Sequence, residues 1–71
     1  MNVAELIRTM RTRAGLSVLE LSKKMGATTG QIYQWEAGNV VPSSEKLLAV
    51  ARATGYQLVF RKQDYKYGED N

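Results

Sequence analysis

Residues 17–38 read SVLELSKKMGATTGQIYQWEAG, two helices and the joint between them. Ser17 is a favoured helix-capping residue, and Glu20, at the third helical position, is placed to reach back to its backbone. Leu21 and Met25 recur at i, i+4, and Leu16 stands before the cap as a staple or core residue. Gly26 stops this helix. Thr28 with Gln31 repeats the capping pattern, Ile32 and Trp35 are the apolar positions that follow, and Gly38 stops the second helix. A helix from Ser17, a turn at Gly26-Ala27 and a helix from Thr28 make a helix-turn-helix pattern.

The flanks supply the rest of a small bundle. Asn2 caps a first helix over about Val3 to Ala14, with Glu5 as its capping-box partner and Leu6, Met10 and Ala14 on one face. Gly15 ends it. Pro42-Ser43 opens a later helix whose core side chains are Leu47, Leu48, Val50 and Ala51, and Gly55 ends it. The period then changes. Tyr56, Leu58 and Phe60 alternate with Gln57, Val59 and Arg61, which reads as a β-strand over 56–62. An isolated strand leaves backbone groups unpaired, and pairing with its own copy across a two-fold axis satisfies them. Tyr56, Leu58, Val59 and Phe60 are therefore the expected dimerisation residues. The expected fold is all-α: a compact four- to five-helix domain over 1–55 with one C-terminal β-strand pairing across a dimer. The remaining 63–71 form a polar tail, either flexible or folding on a partner.

Composition removes whole classes of function. A chain of 71 residues is one domain by length, and 44% apolar content supports a packed core. Cysteine and histidine are both absent, which excludes zinc fingers and histidine-based acid–base catalysis. No clustered carboxylates and no phosphate loop stand out, so no catalytic residue, metal or cofactor is assigned. No apolar run approaches the roughly 20 residues of a membrane span, and no signal peptide is read at the N-terminus. These features point to the cytoplasm. Through Lys62, nine Lys and Arg stand against four Glu, so a basic body precedes a mildly acidic tail. That balance suits a polyanion, and it also occurs in inert domains.

A helix fits the major groove, and the start of the motif's second helix reaches base edges there. The candidate reader is Thr28 to Trp35, with Thr29, Gly30, Gln31 and Gln34 outward. Gln pairs with adenine, Thr touches bases or a thymine methyl, and Gly lets backbone come close.

Gly15-Leu16-Ser17, Leu21-Ser22, Gly26, Ile32 to Gly38 and Pro42-Ser43 together resemble the Cro/repressor-type (XRE, lambda-repressor-like) helix-turn-helix family over about Leu6 to Thr54. The resemblance implies a helical repressor-like core that binds double-stranded operator DNA as a symmetric dimer. It implies a salt bridge between Arg11 and Glu36. It places Thr29, Gly30, Gln31 and Gln34 where bases are read, Tyr33 and Asn39 where phosphates are met, and Ser17 at a phosphate-binding helix start. Thr28 and Val18 complete the expected contact set. Val18 stands where the family usually has Gln, and Leu19 where it is usually polar. Either backbone amides replace that clamp, or Val18 and Leu19 face a thymine methyl or a protein. Residues Tyr56 to Lys62 resemble, more weakly, the C-terminal strand of HipB-type antitoxins.

Ordinary roles remain beside these. Trp35 reads as core and Tyr33 as either surface packing or phosphate contact, while Lys23, Lys24 and Lys46 are solvated faces. Two functions follow: a transcriptional repressor acting as a homodimer on a palindromic operator, or an antitoxin that binds a protein toxin and autoregulates its operon.

Overall fold

A computed structural model describes residues 2–59 and Lys62. It contains α1 (Val3–Arg13), α2 (Val18–Met25), α3 (Thr29–Ala37) and α4 (Ser44–Thr54). Each helix starts at a side-chain oxygen that takes up an otherwise unsatisfied amide. Asn2 Oδ1 accepts from the Ala4 and Glu5 amides at 2.9 and 3.3 Å. Ser17 Oγ accepts from Glu20 at 3.0 Å, Thr28 Oγ1 from Gln31 at 3.1 Å and Ser43 Oγ from Lys46 at 3.2 Å. Caps of this kind are worth about 1 kcal/mol each.

The joint between α2 and α3 depends on Gly26. Its φ of +77° is left-handed, a conformation that a Cβ disfavours. The amides of Gly26 and Ala27 both donate to the Ser22 carbonyl, at 2.9 and 3.1 Å, so the chain reverses within three residues before Thr28 caps the next helix.

Both α1 and α2 pack against α3 and α4. The core at their meeting is Ile7, Met10, Val18, Leu21, Ile32, Trp35, Val50 and Ala51, with Leu6, Leu16, Met25, Leu47 and Leu58 packed around it. Trp35 lies in the core as expected.

Three expectations need correction. The buried stripe of α1 is Ile7 and Met10, while Leu6 is half-buried and Ala14 exposed. On α4, Val50 and Ala51 are buried and Leu47 is half-buried, but Leu48 faces outward at 38% exposure. Four helices are present among the described residues, within the expected four to five, but no strand occurs among them. The Tyr56 amide donates to the Ala51 carbonyl at 2.8 Å, closing the end of α4, and is therefore not available to a ladder. Leu58 is half-buried against the core; Tyr56 and Val59 are exposed. Phe60, Arg61 and the 63–71 tail lie outside the described residues.

This register separates two leucines. Leu21→Ala should cost about 2–5 kcal/mol, as for a fully buried leucine. Leu48→Ala should cost at most about 1 kcal/mol. Urea unfolding midpoints read both, and equal losses would reject the assignment of α4.

Candidate nucleic-acid interface

The helix α3 is anchored along one side only. Ile32, Trp35 and Glu36 are buried, whereas Thr28, Gly30, Gln31, Tyr33 and Gln34 are exposed and Thr29 is half-buried. Tyr33 keeps 60% of its surface in solvent. Asn39, just past the Gly38 cap, is exposed as well. The polar residues selected from the sequence therefore form one accessible surface, running from the first turn of α3 to the loop after it.

The far end of α3 is fixed by charge. Arg11 Nε donates to Glu36 Oε2 at 2.6 Å and Arg11 Nη2 to Oε1 at 2.9 Å, a two-pronged pair. Its side chains are only 16% and 7% exposed. Hydrogen bonding to Glu36 pushes the Arg11 guanidinium pKa further up, against the opposing effect of burial. The third nitrogen, Nη1, donates to the Leu16 carbonyl at 2.9 Å. Arg8 joins the same cluster: Nη2 donates to the Glu36 carbonyl at 2.9 Å, and Nε lies 3.7 Å from Glu36 Oε1. Sequence reasoning left Arg8 unassigned. Its place three residues before Arg11, on the same helix face, is the signal that was available.

Several expected contact groups already have partners inside the chain. Gln31 Oε1 accepts from the Thr28 amide at 3.0 Å, completing the capping box of α3. Gln34 Oε1 accepts from Asn39 Nδ2 at 3.0 Å. Glu20 Oε1 accepts from the Ser17 amide at 2.8 Å. That bond, with a further contribution from the Ser17 side chain to the carboxylate, lowers the Glu20 pKa. A carboxylate thus already occupies part of the helix start at which Ser17 was expected to meet phosphate.

Val18 departs from its expected exposure. At 8% exposure it belongs to the core, because the first turn of α2 directs it inward, and only Leu19 of the pair stands in solvent, at 53%. Among the described residues no cluster of His, Cys, Asp or Glu could hold a metal ion, and no helix is long and apolar enough to cross a membrane.

Two short helices joined at a left-handed glycine, the second with a free polar face, define a helix-turn-helix DNA-binding domain. The helix-turn-helix family model matches residues 7–60, and the chain belongs to this family, of XRE/Cro type. The family is a DNA-binding one and not enzymatic. No curated protein and no solved structure gives a significant match, and nothing in the comparisons supports the HipB-type likeness.

Two predictions follow from this geometry. Glu36→Ala leaves the Arg11 charge buried without its partner and should cost about 3–5 kcal/mol in chemical denaturation. For Glu20, the folded-state pKa is the lower one, so its contribution to stability is complete above the ordinary carboxylate range and is lost as pH falls through the depressed value. Glu20→Gln should therefore flatten the acid limb of the stability–pH curve, and an unchanged acid limb would remove Glu20 from that role.

Proposed function

We propose that this protein is a sequence-specific transcriptional regulator, a repressor that binds a palindromic operator as a homodimer. One observation carries the reading: the buried Ile32, Trp35 and Glu36 hold α3 while Gly30, Gln31, Tyr33 and Gln34 stay free on its other side. A helix held in that way can enter a major groove without unpacking the bundle. Thr29, Gly30, Gln31 and Gln34 would read bases, with Thr28 at the helix start. Tyr33 and Asn39 would contact phosphates, joined by Ser17 through its hydroxyl hydrogen. Phosphate contacts supply much of the affinity and the base contacts the selectivity.

Dimerisation supports a palindromic site, since a two-fold axis presents two copies of α3 to two half-sites about 34–36 Å apart. The exposed Tyr56 and Val59, directly after α4, offer apolar surface for it.

Selection of bound duplexes from a random pool should return two inverted half-sites with centres about 10–10.5 base pairs apart. Light scattering should show a dimer at micromolar concentration. Gln31→Ala should weaken binding to the selected duplex by about 1–3 kcal/mol and relax preference at one position per half-site. Equal enrichment of all sequences, or unaltered binding by the variant at both cognate and variant sites, would reject the assignment.

A further inference from the structure

A recess of about 390 Å³ opens on the reading face, lined by Thr28, Gly30, Gln31, Gln34, Trp35 and Val40. We propose that it receives the major-groove edge of a thymine, with the 5-methyl group against Val40 and the Gly30 backbone and O4 on the Gln31 amide. The inference rests on the DNA-binding reading above and names the base that one part of the surface selects.

The first argument is the polarity of Gln31. Its Oε1 faces the Thr28 amide at 3.0 Å, and because that amide is a donor, only the oxygen of Gln31 can meet it. The two hydrogens on Nε2 are left for a ligand. A glutamine with both ends free pairs with adenine, donating to N7 and accepting from N6. With one lone pair of its oxygen engaged and the amide plane held by that bond, Gln31 turns its two Nε2 donors outward. Adenine, whose paired contact needs the oxygen as well as Nε2, is then the poorer partner, while guanine O6 and N7 and thymine O4 suit the donors directly.

The second argument is the apolar wall. Val40 keeps 49% of its surface exposed, and its amide is tied to the Gln34 carbonyl at 3.3 Å, which holds it beside α3. Thymine alone among the bases places a methyl group beside a groove acceptor. A donor next to an apolar recess is the complement of that edge; guanine leaves the apolar part unfilled.

The third argument is Gly30. Among the described glycines it is the one without a positive φ, and a Cβ there would meet only Thr28 Oγ1, at 3.9 Å. Folding does not require glycine at this position, and helix propensity disfavours it. The missing side chain leaves the backbone open to close approach by a ligand.

The test uses the full chain and the duplex obtained by selection. Each thymine is replaced in turn by deoxyuridine, which removes only the methyl, or its pair by 5-methylcytosine with guanine, which keeps the methyl and turns the acceptor into a donor. At one thymine per half-site, deoxyuridine should weaken binding about four-fold, the worth of one buried methyl. Val40→Ala should abolish that penalty while leaving penalties at other thymines unchanged. Gln31→Glu keeps the capping box but presents an acceptor, and should shift the preference at the same position toward 5-methylcytosine. The proposal is overturned if no thymine shows the deoxyuridine penalty, if Val40→Ala leaves the penalty intact, or if the position altered by Gln31→Glu reads guanine. Failure to select any sequence would instead overturn the DNA-binding reading, and this inference with it.

Discussion

A single side chain, Arg11, connects the parts of this domain that have to keep a fixed relation. Its Nε and Nη2 grip Glu36 at the end of α3, and its Nη1 holds the Leu16 carbonyl at the approach to α2. Three segments of chain thus meet on one guanidinium. Removing two charges from water is expensive, and a well-packed apolar pair of similar volume would often be as stable. What the ion pair adds is direction. An apolar contact tolerates sliding, whereas the planar fork accepts a carboxylate in one geometry. The Arg8 bond to the Glu36 carbonyl adds a second restraint at the same end. With its C-terminal end fixed twice, α3 can leave its first turn open and still point in one direction.

The open end is organised by capping instead. Thr28 and Gln31 satisfy each other's backbone amides, so the first turn is held without burying any of its outward atoms. The same arrangement recurs at Ser17 and Glu20. Local order and accessibility are usually in conflict, since side chains are held in place by packing. Capping boxes relax that conflict, because they restrain a side chain through bonds along the chain itself. They also polarise it. A glutamine that caps its own helix keeps both donors and half of its accepting capacity, so the fold biases what that residue can recognise.

Legibility in the sequence followed the range of the interaction. Caps at Asn2, Ser17, Thr28 and Ser43 and stops at Gly26, Gly38 and Gly55 act within a few residues, and all were readable. Ile32 and Trp35 were readable because α3 offers few other apolar residues. On α1 the sequence is apolar at Val3, Leu6, Ile7, Met10 and Ala14, so stripes through Leu6 and through Ile7 both satisfy a helical period. Contact with α3 and α4 selects between them, and that information is not local. Leu48 on α4 has the same ambiguity. Val18 looked unusual because it replaces a polar residue of the resembled family, but its burial in the core accounts for it. The alternation over 56–62 is a true period of two, yet a strand exists only with a partner, and the end of α4 claims the first amide. The pairing of Arg11 with Glu36, distant in sequence, came from family resemblance and not from any pattern along the chain.

Gly30 shows how function is separable from folding in such a small domain. A glycine inside a helix lowers stability by up to about 1 kcal/mol relative to alanine. Where φ is positive, as at Gly26 or Gly38, the backbone geometry explains the residue. At Gly30 the backbone is helical and the space for a side chain is open. Helix propensity favours a larger residue there and nothing in the packing opposes one, yet the sequence has glycine. Natural chains break local rules of this kind where something outside the folded chain benefits. The position lies on the exposed face of the helix that the whole domain is built to hold still. Gly30 is therefore a local cost that folding leaves unexplained, at the place where the packing, the caps and the Arg11 clamp together leave backbone exposed.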